Sequence, residues 1–159
     1  MKIKGSHGMI NGVKVKSLNI NLDDRGYLME IIRNDEAFFT GFGQCYITTC
    51  FPGIVKAWHM HEKQEDNICA VNGNVKLVLA DLREKSPTFN EINEFFIGEK
   101  TPLLIKVPPG VFHGFTPLGG DSAVILNLPS EPYNRENPDE HRLPYDTRKI
   151  DYSWSAINR

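Results

Sequence analysis

Short segments rich in branched and aromatic residues, separated by glycine and proline turns, recur along the whole chain. Apolar and polar residues alternate over 13–22, which is typical of a strand with one buried face. Asn72-Gly73-Asn74 separates two further apolar runs and predicts a tight hairpin. Further strands are predicted over 27–32, 44–51, 54–61, 68–71, 75–80, 92–97, 103–107, 113–116 and 123–128. The regular spacing predicts an all-β fold, an antiparallel jelly-roll barrel.

No linker, internal repeat or low-complexity segment divides the 159 residues, so we expect a single domain over 1–159. An N-terminal arm is predicted at 1–11. A Pro-rich tail at 129–159 is expected to pack on the barrel or on a partner, with its acidic run 136–140 in solvent. Because a jelly roll leaves edge strands, we expect a homodimer in which the N-terminal strand pairs across the interface.

The charge balance excludes two classes of partner. The chain has 18 Lys and Arg, 20 Asp and Glu and a net charge of −2, which gives no electrostatic case for nucleic acid or an anionic membrane. No apolar run approaches the ~20 residues that span a bilayer, and no charged-then-apolar leader is present. Cys45, Cys50 and Cys69 are an odd number outside any C-x-x-C pair, which predicts free thiols and a cytoplasmic location.

Candidate chemistry is concentrated around two histidines. His59 and His61 are one residue apart on a predicted strand, so their side chains point to the same face. Glu65 and His113 can join them from neighbouring backbone. Three imidazoles and a carboxylate in a barrel mouth suit either a divalent metal ion or acid–base chemistry. From the residues alone, both interpretations remain open.

Two sets of motifs carry a resemblance to known families. The first is Gly53-x5-His59-x-His61-x3-Glu65, followed by Gly73 and by Pro108-x-Gly110-x2-His113, and it resembles the two cupin motifs. The second is longer, in order and suitably spaced over 12–154. It comprises Asp24-Arg25-Gly26 with Glu30, the run 53–59, Asp81-Leu-Arg83 with Ser86-Pro-Thr-Phe89, the run 107–115, Tyr133 and the run 141–154. This second set resembles the dTDP-4-dehydrorhamnose 3,5-epimerase family, itself a cupin.

The resemblance implies an isomerase that needs no cofactor. It would invert C3, C5 or both in a dTDP-linked 4-keto-6-deoxyhexose, in deoxysugar and cell-surface polysaccharide biosynthesis. His59 falls where the family has its catalytic base, Tyr133 where it has the opposing acid, and His113 on a pocket histidine. A base that titrates near neutral pH can remove a proton beside a ketone, and an acid on the opposite face completes inversion. The enolate oxygen then needs a positive or hydrogen-bonding partner.

The same resemblance implies a set of substrate-binding residues. Arg25 and Glu30 fall on positions that contact the nucleotide, with Gln44 beside them. Lys56 stands where the family usually has an arginine near the sugar phosphates, which keeps the charge but loses the bidentate fork. At His61 the family has a different residue, and we expect His61, as a polar residue of the pocket, to hydrogen-bond the ligand. The implied partner is therefore a nucleotide sugar.

The sequence also departs from the family pattern. Asp66 stands where the family has a lysine suited to the enolate, and Leu77 replaces a strand aspartate. The family aspartate that orients the base lies in a C-terminal extension without a counterpart before Arg159, so we expect Glu65 or Asp66 to replace it. Conversely, His61 adds an imidazole where the family has a residue that binds no metal.

These departures leave two alternatives to a metal-free epimerase. One is a metal-dependent cupin isomerase or epimerase that holds one divalent metal ion with His59, His61, Glu65 and His113; imidazole and carboxylate do not distinguish Zn, Fe, Mn and Ni. The other is a non-catalytic cupin that binds a nucleotide sugar.

Overall fold

In a computed structural model, residues 2–4 and 8–154 are described, and all their regular elements are strands. The remaining residues of the predicted N-terminal arm and tail lie outside the described residues. The strands of the described part are β1 (Lys2–Lys4), β2 (Lys14–Ser17), β3 (Ile20–Asp23), β4 (Gly26–Met29), β5 (Tyr46–Cys50), β6 (Lys56–Met60), β7 (Asp66–Asn72), β8 (Asn74–Asp81), β9 (Ile92–Gly98), β10 (Leu103–Val107), β11 (Val111–Pro117), β12 (Ala123–Asn127) and β13 (His141–Arg142). The all-β prediction is confirmed.

Two antiparallel sheets form the barrel. The first has the order β1-β9-β8-β11-β6-β13 and the second the order β2-β10-β7-β12-β5. Leu77 and Phe95 of the first sheet and Ile105 and Ile125 of the second are at most 1% exposed and belong to one core cluster. Residues buried in this way alternate along β12, as expected for a strand with one face toward the opposing sheet.

The tail covers part of the first sheet. Strand β13 pairs with β6, and Ile150 and Trp154 are buried. The ring of Trp58 on β6 packs edge-on against Tyr152, with centroids 5.8 Å apart, and lies 5.0 Å from the ring of Trp154. The tail is therefore held to β6 by apolar and aromatic packing, which fixes its position near the predicted histidines.

A short hairpin stands apart from both main sheets. The predicted strand over 13–22 is divided at Leu18, which is buried and donates its N–H to the carbonyl of Pro102 at 2.9 Å. Beyond it, β3 and β4 form a separate two-stranded sheet. Leu22 is 77% exposed and Leu28 60% exposed, so this hairpin presents apolar side chains to solvent.

The cysteines and the absence of a membrane-spanning helix among the described residues concern two further sequence predictions. Cys45, Cys50 and Cys69 are free thiols, as predicted; Cys45 is exposed, whereas the other two are buried. No helix within 2–4 and 8–154 is long and apolar enough to cross a membrane.

Candidate active site

A cavity of about 850 Å³ is lined by residues of β6 and β11 from one sheet, β5 and β12 from the other, and the tail. Its volume lies within the usual range for small-molecule sites. Six of the residues predicted as catalytic or substrate-binding line it, namely Gln44, Lys56, His59, His61, His113 and Tyr133. The structure therefore brings most of the predicted site together.

The register of β6 and β11 explains why the histidines meet. His59 lies directly opposite His113 in the antiparallel pair. The ring centroids of these two residues are 6.2 Å apart, and those of His61 and His113 are 5.9 Å apart. The two histidines spaced by one residue thus face the same cavity, as the period of the strand predicted.

A glycine permits this close pairing. Gly114 follows His113, and the register between the strands shifts between His113 and Phe115. A Cβ atom at position 114 would lie 2.3 Å from the Cβ of Ala57, a separation that real atoms do not tolerate. A side chain at 114 would therefore push β11 away from β6 and separate the histidines.

His59 is oriented by Glu140. Its Nδ1 lies 3.0 Å from Glu140 Oε1, and Arg142 Nη2 donates to both Glu140 oxygens at 2.9 and 3.0 Å. Burial tends to raise the pKa of Glu140, but the hydrogen bonds from Arg142 and His59 outweigh it and hold the pKa below its usual value. An ionised carboxylate accepts only, so His59 Nδ1 carries the hydrogen, and Nε2 is the ring atom that has the lone pair when the imidazole is neutral. The expectation that Glu65 or Asp66 orients His59 is wrong.

Hydrogen bonds of Asp139 connect the tail to the segment 62–64 beside the site. Its carboxylate accepts the backbone N–H groups of residues 62–64 at 2.8, 2.9 and 3.1 Å. Burial tends to raise the pKa of Asp139, but these three hydrogen bonds outweigh it and lower the pKa. Its backbone carbonyl accepts from His61 Nδ1. The expectation that the run 136–140 is solvated is therefore wrong at its last two positions, which are half-buried.

His113 is neutral at pH 7. Burial, assisted by the nearby His61 and His59, lowers the pKa of His113 to about 4, although Asp66 acts in the opposite direction. Its Nδ1 lies 3.4 Å from the carbonyl oxygen of Val111, which can only accept. His113 thus presents its Nε2 lone pair to the interior of the site.

Asp66 occupies the base of this arrangement. Its side chain is 2% exposed, and Oδ1 accepts hydrogen bonds from Gln64 Nε2 at 2.9 Å and Asn127 Nδ2 at 2.7 Å. The other oxygen, Oδ2, lies 3.3 Å from His61 Nε2 and 3.5 Å from His113 Nε2. A buried carboxylate therefore lies at the position where the resemblance places a lysine.

Glu65 points away from the histidines. Its carboxylate accepts from the hydroxyl of Thr40 and lies 3.3 Å from the buried ammonium of Lys106. Successive residues of an extended chain point to opposite faces, so Asp66 and Glu65 cannot both face the cavity. The predicted metal set that includes Glu65 is therefore wrong, and Asp66 takes its place beside the imidazoles.

The predicted substrate-binding residues divide into two groups. Lys56 Nζ donates to Thr48 Oγ1 at 3.0 Å within the cavity wall. Arg25 lies in the turn of the exposed hairpin, with its side chain 86% exposed and paired with Asp23. Glu30 follows that hairpin with its side chain 61% exposed. Among the described residues, Arg25 and Glu30 do not line the cavity, and their contact with a nucleotide stays a prediction.

Comparison with known proteins decides the family. The model of the dTDP-4-dehydrorhamnose 3,5-epimerase family matches residues 7–159. The chain belongs to this family. It is 42% identical to the spore coat polysaccharide biosynthesis protein SpsL of Bacillus subtilis over 148 residues, which cover 93% of this chain and 98% of SpsL.

Two further relatives of this epimerase support the assignment. It is 38% identical to the probable low-salt glycan biosynthesis epimerase Agl13 of Haloferax volcanii over 149 residues, covering 92% of this chain and 96% of Agl13. The crystal structure of a dTDP sugar isomerase from Desulfovibrio desulfuricans superposes with a TM-score of 0.88 at 28% identity, covering 94% of each chain. The jelly-roll prediction is confirmed, and the chain is an epimerase of this family.

Sequence reasoning missed Glu140 and Asp139 in this epimerase. Both lie in a Pro-rich segment without hydrophobic periodicity. The available signal was their position immediately before the run 141–154, which carried the resemblance to the family. Strand β13 at the start of that run pairs with β6 and brings both acidic residues to the histidines.

Proposed function

We propose that this epimerase inverts C3, C5 or both in a dTDP-linked 4-keto-6-deoxyhexose, in deoxysugar and cell-surface polysaccharide biosynthesis. The observation that carries the proposal is the pair of His59 and Glu140 in a cavity also lined by Tyr133. The relatives named for polysaccharide and glycan biosynthesis and for a dTDP sugar support the substrate class.

His59 is the base in this mechanism. The hydrogens on the carbons beside a ketone are acidic because their removal gives an enolate. His59 Nε2 takes one of them, since Nδ1 already carries a hydrogen directed at Glu140. The imidazolium that forms then lies next to an ionised carboxylate, which stabilises it as the proton is transferred.

Tyr133 is the acid on the opposite face of the sugar. It lies in the tail segment, is 54% exposed and lines the same cavity as His59. Its hydroxyl delivers a proton to the enolate carbon from the side away from His59, which inverts the configuration. Return of the original proton from His59 would regenerate the starting sugar, so both groups are needed for net epimerisation.

The remaining pocket residues position the substrate. His113 and His61 border the cavity beside His59, and Lys56 places a positive charge where the diphosphate is expected. Gln44 lines the cavity as well. A lysine interacts with phosphate as a point charge, so it holds the diphosphate less rigidly than an arginine fork would.

A homodimer accounts for Arg25 and Glu30 within this proposal. Both residues lie on or next to the exposed hairpin, outside the cavity of their own chain. Tyr27 and Leu28 on that hairpin are more than half exposed and provide apolar surface for a partner protomer. The hairpin of one protomer would then contribute Arg25 to its partner's cavity. A cytoplasmic location stays a prediction.

Proton exchange tests the proposal. The full-length protein is incubated with dTDP-4-keto-6-deoxyglucose in D₂O, and NMR follows deuterium incorporation and the configuration at C3 and C5. We expect exchange at one or both carbons with inverted product. Exchange should be lost in His59→Asn and kept in His141→Asn, a matched change at a 47% exposed histidine side chain. Nucleotide-sugar binding without exchange at either carbon would overturn the proposal.

A further inference from the structure

Three electron-pair donors converge beside the catalytic base. Asp66 Oδ2 lies 3.3 Å from His61 Nε2 and 3.5 Å from His113 Nε2, and all three atoms lie within 4.8 Å of one another. The side chains are 14% exposed for His61, 2% for Asp66 and 8% for His113. The cluster is therefore largely shielded from bulk water, although His61 and His113 border the cavity.

The opposite side of each imidazole is already occupied. His61 Nδ1 contacts the backbone carbonyl of Asp139, and His113 Nδ1 faces the backbone carbonyl of Val111. A carbonyl oxygen only accepts, so both Nδ1 atoms carry hydrogen, and Nε2 is the ring atom of each histidine that faces Asp66 and can bind an ion. An Nδ1–H bound to a backbone carbonyl is the arrangement that orients metal-binding histidines.

Hydrogen bonds also orient the carboxylate of Asp66. Asp66 Oδ1 accepts two hydrogen bonds, from Gln64 and Asn127, which leaves Oδ2 as the atom directed at the imidazoles. These contacts fix the orientation of the carboxylate in an interior where an isolated negative charge is costly. Three lone pairs facing one another repel unless a cation lies between them.

The distances from Asp66 Oδ2 to the two imidazole nitrogens match those between ligands of a tetrahedrally coordinated ion. Zinc bonds to imidazole nitrogen and carboxylate oxygen are about 2.0–2.2 Å long, so two ligand atoms on a tetrahedron are about 3.3–3.6 Å apart. The two separations from Asp66 Oδ2, 3.3 and 3.5 Å, fall in that range. We propose that His61, Asp66 and His113 bind one divalent transition-metal ion of the zinc class, with a fourth position open to the cavity.

A cation here would change the charge of the active site. Among the described residues lining the cavity, the lysine and arginine side chains are Lys56 and Arg142, which are engaged by Thr48 and Glu140. An ion beside Asp66 would supply positive charge where the resemblance expects a lysine. This role toward the ketone oxygen rests on the proposed function, whereas binding of the ion does not.

The test uses the full-length, tag-free protein after treatment with a chelator. Calorimetric titration with Zn²⁺ alone, without sugar nucleotide, should give one equivalent of tight binding. Co²⁺ should give the visible absorption of a tetrahedral site, and Zn²⁺ should raise the unfolding temperature. No stoichiometric binding of either ion by the wild-type protein would overturn the proposal, because the three side chains would then share only a proton.

Matched variants locate the site. His61→Ala and Asp66→Asn should each weaken Zn²⁺ binding more than about a hundredfold, since losing an outer partner alone costs about 10- to 100-fold. His141→Ala changes an exposed histidine in the group with Glu62 and half-buried Asp139, and this variant should still bind one equivalent of Zn²⁺. An equal loss of Zn²⁺ affinity in His141→Ala, or unchanged affinity in both His61→Ala and Asp66→Asn, would overturn the assignment. Circular dichroism identifies any variant that fails to fold. In that case the titration of the wild-type protein still decides whether the metal site exists.

Metal binding and deuterium exchange together separate the metal site from the epimerase mechanism. Zn²⁺ binding lost in His61→Ala, together with no deuterium exchange in the loaded wild-type protein, supports the metal site and overturns the epimerase mechanism. Deuterium exchange in a wild-type protein that binds neither ion supports the mechanism and overturns the metal site.

Discussion

Replacing Glu140 by glutamine tests the role of the tail in catalysis. The substitution keeps the size of the side chain and an oxygen that can accept from His59 Nδ1, but it removes the negative charge. As the base, His59 gains one positive charge when it abstracts the proton. The charge of Glu140 therefore stabilises the transition state more than the bound substrate, and we expect kcat to fall while KM changes little.

The magnitude follows from the separation of the two groups. Unit charges 3.0 Å apart interact by about 5.5 kcal/mol at an effective dielectric constant of ~20 and by about 1.4 kcal/mol in bulk water. The side chains of His59 and Glu140 are 26% and 21% exposed, so the true value lies between these limits. About 3 kcal/mol corresponds to a decrease in kcat of about a hundredfold.

Steady-state epimerisation of dTDP-4-keto-6-deoxyglucose, followed by NMR, measures this effect. Glu136→Gln is the matched control, because Glu136 lies in the same acidic run but is exposed and does not line the cavity in the described structure. We expect its kcat to equal that of the wild-type protein. A decrease in kcat of less than about threefold in Glu140→Gln would show that His59 does not depend on this carboxylate.

Three further predictions concern Tyr133, Asp139 and Arg25. Tyr133→Phe should keep deuterium exchange but lower net inversion by about 10²–10⁴-fold; equal loss of both would contradict its role as the acid. Folding lowers the pKa of Asp139 through its hydrogen bonds to the backbone of 62–64. These bonds therefore stabilise the protein fully above the ordinary pKa of about 4. The stabilisation disappears as the pH falls through the lower pKa that Asp139 has in the folded protein. Urea unfolding should therefore show Asp139→Asn less stable by about 1–3 kcal/mol at pH 7, with a smaller difference at about pH 3; a difference independent of pH would refute this. Mixing inactive Arg25→Ala with inactive His59→Asn should restore activity if Arg25 acts across a dimer, whereas no restoration in mixed dimers would contradict that arrangement.

Most of the barrel was predictable from the sequence because alternation and turn residues are local signals. The hairpin at Asn72-Gly73-Asn74 joins β7 to β8 as predicted. The division of the 13–22 segment was missed although the alternation changes phase there, since apolar residues lie at 13 and 15 and then at 18, 20 and 22. The N–H of Leu18 bonds to the carbonyl of Pro102 at this point. The two-residue strand β13 was also missed, since two residues are too few to show a period.

The histidines of the site were predictable for the same local reason. His59 and His61 share a face through the period of the strand, and the spacing to His113 indicated a second strand beside them. Local patterns did not predict the role of Glu140, because its contact with His59 joins residues separated by 81 positions. The choice of Glu65 rather than Asp66 failed because the start of β7 decides which of two adjacent carboxylates faces inward.

Comparing proton exchange in wild-type protein and His59→Asn shows whether His59 is the base. Both proteins are incubated in D₂O with dTDP-4-keto-6-deoxyglucose, and ¹H NMR records the loss of the C3 and C5 proton signals. We predict enzyme-dependent loss of one or both signals with wild-type protein and none above the uncatalysed rate with folded His59→Asn. Equal rates of exchange in the two proteins would contradict the claim that His59 is the base.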